Sequence, residues 1–120
     1  MLVDDESDIR FILSMILKKD GYTTIEAANG GECLQRIQET DLDLVILDIM
    51  MPGMDGWEVC RRIKETTPQL CVSMLSAKGT EKDIKRSMEA GADRHLTKPI
   101  IKDEILSAVQ ELLEEFKHNS

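Results

Sequence analysis

The sequence predicts an α/β fold in which helices cover both faces of a parallel β-sheet. Short apolar segments that suit buried strands alternate about five times with longer segments of helical periodicity. The segment 42–47 is apolar on both faces, as strands buried in a parallel sheet are. With 120 residues and no visible repeat or linker, the chain predicts one domain over 1–120, with a core at about 1–117.

Five segments are predicted to be strands. One alternates in polarity, two carry apolar residues on both faces, and two are short; in chain order they cover 1–3, 23–28, 42–47, 70–75 and 93–96. The first is shorter than a central strand usually is, which raises the expectation that residues precede it in the natural protein.

Five helices are predicted between the strands. The first has apolar residues at helical spacing, a cap at Ser7 or Asp8, and an end at Gly21. Asn29–Gly31 reads as a break before the second, and Lys98–Pro99 as a break before the last. The other predicted ranges are 32–38, 57–65 and 82–90; the last helix has its apolar face at Ile101, Ile105, Val109, Leu112 and Phe116.

The charge and hydropathy of the chain exclude several classes of function. A net charge of −8 argues against direct binding to nucleic acid, which requires clustered Lys and Arg. The longest uninterrupted apolar run is 44–47, far below the ~18 residues of a membrane span, and acidic residues follow Met1–Val3 too soon for a signal peptide. The three cysteines form no C-x-x-C pair, so reduced core thiols are favoured over a zinc site.

Reactive side chains follow four of the predicted strands. Asp4 and Asp5 follow the first, Asp48 the third, Ser76 the fourth and Lys98 the fifth. Ligands of open α/β sheets bind beyond the carboxyl ends of the strands, where these groups meet if the first and third strands are neighbours.

Three converging carboxylates repel one another, and a divalent cation relieves that repulsion. Oxygen ligands favour Mg²⁺, Mn²⁺ or Ca²⁺ over zinc. A phosphoryl group could bind among three of these features. They are a cation on one side, the Lys98 ammonium on another and the Ser76 hydroxyl on a third.

Each residue also has an ordinary interpretation. Asp4 and Asp5 favour a helix start through its dipole, and Asp48 suits a turn. Ser76 and Lys98 taken alone are unremarkable. These separate interpretations do not predict that all the groups lie at one edge of one sheet.

Four segments resemble the receiver domain of two-component response regulators, of the chemotaxis-regulator type. They are LVDDE at 2–6, LDIMMPGMDG at 47–56, LSA at 75–77 and HLTKP at 95–99. The resemblance covers essentially the whole chain. It implies a flavodoxin-like, doubly wound three-layer sandwich with five parallel strands in the order 2-1-3-4-5.

The resemblance also implies a phosphoryl site that binds Mg²⁺, for which Mn²⁺ can substitute. Asp48 matches the phosphoacceptor and a metal ligand. Asp5 matches a direct metal ligand, Asp4 one that acts through water, and Met50 one that uses its backbone carbonyl.

The remaining implied roles concern chemistry and switching. Lys98 matches the lysine that pairs with Asp48 and then with the phosphoryl oxygens, and Ser76 the hydroxyl that follows the phosphoryl group. His95 stands where the family usually has Tyr or Phe as a rotamer switch. Met50 and Lys78 flank the approach of the hydrolytic water and are expected to tune the lifetime of the phosphorylated state.

The partners implied are a sensor histidine kinase or phosphotransfer protein and, downstream, an output domain or protein. The output is expected to use the face formed by 81–96 and 101–116, on which a homodimer is an alternative. Neither nucleic acid nor membrane is expected as a direct partner, and the location implied is the cytoplasm. The sequence leaves open whether this is a free-standing regulator or part of a larger protein.

Three other functions compete with this interpretation. A flavodoxin-like cofactor binder needs a neutral loop after the first strand, where this chain has Asp4-Asp5-Glu6. A haloacid dehalogenase-type phosphatase needs a second Asp two residues after the nucleophile, where Met50 stands. A receiver-like module that never takes phosphate is disfavoured because all five site positions are intact.

Overall fold

The computed structural model describes the backbone of residues 1–118 and the side chains of residues 1–115. Strands and helices alternate strictly along these residues. The strands are β1 (Leu2–Val3), β2 (Glu26–Ala27), β3 (Leu44–Leu47), β4 (Cys71–Ser76) and β5 (Arg94–Thr97). The helices are α1 (Ser7–Lys19), α2 (Gly30–Glu39), α3 (Gly56–Thr66), α4 (Glu81–Glu89) and α5 (Lys102–His118).

All five strands are parallel and lie in the order β2-β1-β3-β4-β5, which confirms the predicted fold class. The order reverses between β1 and β3, where Val3 pairs with Leu47. Because parallel strands end at the same edge, the residues that follow β1 and β3 are neighbours there.

Alternation along the strands divides the core between the two faces of the sheet. Val45 and Leu47 of β3 belong to a cluster with buried residues of α2 and α3. Leu44 and Ile46 belong to a second cluster with buried residues of α1 and α5. Within the described residues, helices therefore cover both faces of the sheet.

Three strands are shorter than predicted: β1 begins at Leu2, and β2 and β3 extend only as far as their neighbours pair with them. The prediction of a strand over 23–28 was wrong at both ends, because β2 pairs only with β1 and β1 spans two residues. The strand predicted over 42–47 begins at Leu44, which pairs with Cys71.

The start of α2 was also predicted wrongly. Gly30 and Gly31 lie inside the helix, and the side chain of Asn29 caps it by accepting the Glu32 N–H at 2.9 Å. A side chain at Gly30 would place its Cβ 2.6 Å from Cγ2 of Val59. The glycine thus permits close packing of α2 on α3 rather than breaking the helix.

The ends of α1 and α5 differ from the predictions in two places. The N-cap of α1 is Glu6, without a side-chain cap, instead of Ser7 or Asp8. Ile101 precedes α5 and is 48% exposed, so it is not part of the buried face. The side chain of Phe116 lies outside the described residues.

Two further features of the fold concern its helices and its cysteines. None of the helices within residues 1–118 is long and apolar enough to cross a bilayer. Cys33, Cys60 and Cys71 are buried and free, and burial raises the pKa of each thiol, to about 12, 11 and 12 respectively. Neutral thiols of this kind are chemically inert.

Candidate functional site

The candidate site lies at the carboxyl edge of the sheet, where four strand ends bring together the predicted groups. Asp4 follows β1, Asp48 follows β3, Ser76 ends β4 and Lys98 follows β5. The Asp48 N–H donates to the Val3 carbonyl at 2.9 Å, which extends the pairing of β1 and β3 as far as the two carboxylates.

Lys98 connects the two buried carboxylates of the site. Its Nζ donates to Oδ2 of Asp4 at 3.0 Å and lies 3.8 Å from Oδ2 of Asp48. Burial acts to lower the pKa of Lys98, but the hydrogen bond to Asp4 and the charge of Asp48 outweigh burial and raise it. Lys98 is therefore charged, and its nearer partner is Asp4 rather than the expected Asp48.

Asp48 is a buried carboxylate, with 5% of its surface exposed. Burial and the charge of Asp4 raise its pKa, while Lys98 and two backbone N–H groups, of Ile49 and Met50, act in the opposite direction. Folding therefore disfavours the ionised form of Asp48 relative to an exposed carboxylate.

The loop after Asp48 is held against the start of α3 by a close backbone contact. The Gly56 N–H donates to the Ile49 carbonyl at 2.8 Å. A Cβ at position 56 would overlap the Asp48 carbonyl oxygen and lie 2.6 Å from Cα of Ile49. Only glycine fits there, so Gly56 determines where the backbone of Asp48 lies.

The acidic residues after β1 form a group that can hold a cation. Carboxylate oxygens of Asp4, Asp5 and Glu6 all lie within 4.8 Å of one another. Asp4 is buried, whereas Asp5 and Glu6 are exposed. An all-oxygen donor set with accessible members fits a hard divalent cation such as Mg²⁺. Sequence reasoning had assigned no role to Glu6.

Arg10 is a second residue that sequence reasoning missed. Its Nη1 donates to the Asp4 carbonyl at 2.6 Å, and its Nε donates to Glu26 at 3.0 Å. This side chain fastens α1 and β2 to the end of β1. A contact to a backbone carbonyl leaves no pattern in the sequence, so no motif could have revealed it.

The two positions expected to flank the hydrolytic water lie on loops at this edge. The Met50 side chain is 57% exposed. The Lys78 N–H donates to Oγ of the fully buried Ser76 at 3.3 Å, and the Lys78 ammonium lies 6.0 Å from the centre of the Trp57 ring. The loop that carries Lys78 is therefore tied to the Ser76 hydroxyl.

His95 is half-buried on β5, and both of its ring nitrogens have partners. Nδ1 lies 2.9 Å from Oγ of Ser87, and Nε2 lies 2.8 Å from the Lys78 carbonyl. Trp57 also donates to Ser87, at 2.9 Å. Sequence reasoning placed His95 as a switch but did not identify Ser87 or Trp57 as its supports.

A cavity of about 320 Å³ lies at the opposite edge of the sheet, lined by Met1, Tyr22 and Leu44 among others. It contains none of the strand-end groups described above. The chemistry-bearing residues and this cavity are therefore separate features.

Comparisons with known proteins show similarity in both sequence and fold. Residues 1–110 match the family described as the response regulator receiver domain. The chain is 44% identical over 115 residues to the transcriptional regulatory protein ResD of Bacillus subtilis (strain 168). That similarity covers 94% of this chain and 47% of the relative, so the chain spans about half the length of the curated relative.

Two solved structures show the similarity of fold. A CheY-like response regulator receiver domain protein from Methanospirillum hungatei JF-1 has a TM-score of 0.94 at 28% identity, covering 99% of this chain and 95% of that one. NtrX from Brucella abortus, in complex with ADP, has a TM-score of 0.92 at 32% identity, covering 98% of this chain and 27% of that one.

Proposed function

The chain belongs to the family of response regulator receiver domains, and from this premise we propose that Asp48 accepts a phosphoryl group from a phosphohistidine. The donor is a sensor histidine kinase or a phosphotransfer protein. The observation that carries the proposal is the buried Asp48 carboxylate with the Lys98 ammonium 3.8 Å away at the carboxyl edge of the sheet. A carboxylate held beside a fixed cation is a suitable nucleophile for phosphorus.

In the forward step, a carboxylate oxygen of Asp48 attacks phosphorus. The P–O bond of an acyl phosphate forms, the P–N bond breaks, and the donor imidazole leaves with the electron pair. The charge on the phosphoryl oxygens is met by Lys98, which exchanges its contact with Asp48 for one with those oxygens. Asp4 keeps Lys98 in place through the 3.0 Å hydrogen bond.

The fit of a metal is supported by the acidic group after β1. Asp5 and Asp48, with the Met50 carbonyl, are the proposed direct ligands of Mg²⁺ or Mn²⁺, and Asp4 acts through water. Glu6 lies close enough to Asp4 and Asp5 to share a bound water or the cation. When bound, Mg²⁺ neutralises charge on the carboxylates and on the phosphoryl oxygens.

The phosphorylated state ends by hydrolysis in the same site. A water oxygen attacks phosphorus, the bond between phosphorus and the Asp48 oxygen breaks, and the carboxylate is regenerated with release of inorganic phosphate. Met50 and Lys78 lie on the two loops that border Asp48 and Ser76, and they tune the access of this water.

The consequence of phosphorylation is a change at the face formed by 81–96 and 101–116. Ser76 moves toward the phosphoryl group, and the side chain of His95 on the neighbouring strand turns into the space that Ser76 leaves. The partner is an output domain or protein; a homodimer on this face is the alternative.

Because the curated relative is named a transcriptional regulatory protein, control of transcription is the proposed output. The proposed location is the cytoplasm, where kinase and output partner meet.

Intact-mass spectrometry after incubation with acetyl phosphate or phosphoramidate tests the chemistry. With Mg²⁺, the wild type should gain one phosphate, and chelation of Mg²⁺ should abolish the gain. Asp48→Asn should remain unlabelled, whereas Asp41→Asn, a change at an exposed aspartate of the α2–β3 loop, should label normally. Equal labelling of Asp48→Asn would move the acceptor elsewhere. No labelling of a folded wild type would favour a module that never takes phosphate.

A further inference from the structure

A chain of three hydrogen bonds joins α3, α4, β5 and the β4–α4 loop. Nε1 of Trp57 donates to Oγ of Ser87 at 2.9 Å, Oγ of Ser87 lies 2.9 Å from Nδ1 of His95, and Nε2 of His95 lies 2.8 Å from the Lys78 carbonyl. Ser87 is fully buried. Arg86 stacks on the Trp57 ring at 4.0 Å, which holds the first member in place.

The chemistry of the partners fixes the direction of the two outer bonds, and a neutral imidazole ring then fixes the bond between Ser87 and His95. A carbonyl only accepts, so Nε2 of His95 carries a hydrogen and donates it to Lys78. An indole N–H only donates, so Trp57 uses one acceptor site of the Ser87 oxygen. The single hydroxyl hydrogen of Ser87 is then free to donate to Nδ1 of His95. The chain is complete when His95 is the neutral tautomer with hydrogen on Nε2.

The series of hydrogen bonds ends at the backbone of Lys78, which Ser76 also contacts. The Lys78 N–H donates to Oγ of Ser76 at 3.3 Å, while the carbonyl of the same residue accepts from His95. When Ser76 turns toward a phosphoryl group, it has to release this N–H. The bond from His95 opposes that movement, because it keeps the loop on β5.

We propose that Ser87 is a positioning residue that, with Trp57, holds neutral His95 against the Lys78 carbonyl and so latches the β4–α4 loop in the unphosphorylated arrangement. His95 thereby acts as a restraint before it acts as a switch. The effect on activation rests on the proposed function, whereas the latch itself is a property of the resting protein.

Nitrogen-15 NMR of the imidazole tests the latch without any phosphodonor. A His118→Gln background leaves His95 as the single histidine of the two in the chain. At a pH high enough for a neutral ring, the wild-type pattern should show hydrogen on Nε2 and a hydrogen-bonded, unprotonated Nδ1. Hydrogen on Nδ1 would overturn the proposal, and this measurement requires no change at Ser87.

Ser87→Ala tests the positioning role. We expect the His95 Nδ1 resonance and the Trp57 indole resonance to move toward values of unbonded groups, and the amides of 77–80 to exchange faster by roughly two- to tenfold, the loss of one net hydrogen bond. Ser14→Ala removes another buried helical hydroxyl, which contacts Thr24 at 2.8 Å, and should change none of these signals.

The rate of phosphorylation distinguishes the latch from the proposed phosphoryl transfer to Asp48. If the latch restrains activation, Ser87→Ala should take phosphate from acetyl phosphate faster than wild type by a similar two- to tenfold factor, and Ser14→Ala should not. An unchanged rate together with unchanged NMR signals would overturn the latch. If the wild type takes no phosphate at all, the proposed function fails, and the imidazole and exchange data still decide whether Ser87 positions His95.

Discussion

The ammonium of Lys98 donates a 3.0 Å hydrogen bond to the carboxylate of Asp4, 94 residues earlier in the chain. This contact crosses from the end of β5 to the end of β1, over the intervening strands β3 and β4. It neutralises one buried carboxylate and keeps the lysine 3.8 Å from a second, Asp48. Lys98 is therefore a structural counter-charge as well as a candidate for contact with the phosphoryl group.

Lys98→Ala should destabilise the resting protein, because two buried carboxylates lose their shared cation. We expect a decrease in the free energy of unfolding of roughly 2–3 kcal/mol at neutral pH, measured by denaturant titration without divalent cations. The same change should impair the response to phosphorylation more than it impairs Mg²⁺ binding.

Lys85→Ala, which alters an exposed lysine of α4, is the matched control and should change stability little. Loss of Mg²⁺ binding in Lys98→Ala, combined with an intact partner response after phosphorylation, would contradict this division of roles.

Mg²⁺ binding without phosphate should change the fluorescence of Trp57, the second residue of α3, which follows the site loop. Because the ligands have to be deprotonated, affinity should fall as the pH is lowered. Asp5→Asn should weaken binding by at least about tenfold. Asp8→Asn, an exposed first-turn aspartate of α1, serves as the control. Absence of binding at tens of millimolar Mg²⁺, by order of magnitude, would count against the metal site.

Asp48→Asn should stabilise the protein in the absence of divalent cations. The raised pKa of Asp48 means that the folded state favours the protonated carboxyl, so this group's contribution to stability is present in acid and is lost as the pH rises through its folded pKa. A neutral amide of the same shape removes the penalty at neutral pH, by roughly 1 kcal/mol. Thermal unfolding with and without Mg²⁺ measures it; a lower midpoint for Asp48→Asn in both conditions would show that burial of the charge is not costly.

Gly56→Ala should displace the acceptor loop. The new methyl group meets the backbone of Asp48 and Ile49, which cannot yield as a flexible side chain can. We expect a loss of roughly 2–3 kcal/mol of stability and slower labelling of Asp48. Gly31→Ala in α2 has only ordinary contacts, the nearest at 3.5 Å from Asn29, and should be neutral or stabilising. Equal stability and equal labelling of the two variants would show that Gly56 has no special role in placing the loop.

Alternation of apolar strands and amphipathic helices was sufficient to predict five parallel strands, and the residues after them were sufficient to predict Asp4, Asp48, Ser76 and Lys98 at one edge. These features are local: a strand's pattern and the residue at its end lie in a few consecutive positions. The predicted length of β2 was wrong because it depends on how far β1 extends beside it, which is a property of the pair. The prediction of a break at Gly30 was wrong because this glycine is required by close packing against Val59 on another helix.

The sequence by itself determined the fold class, the edge that carries the chemistry and the residue types available there. Only the tertiary structure decided which groups form hydrogen bonds. Lys98 lies closer to Asp4 than to Asp48, and Arg10 donates to the Asp4 carbonyl. His95 lies between Ser87 and the Lys78 carbonyl. The physical reason is that hydrogen bonds and ion pairs depend on atom positions to within fractions of an ångström. Those positions follow from how the strand ends and helices pack together, which no local pattern of residues encodes.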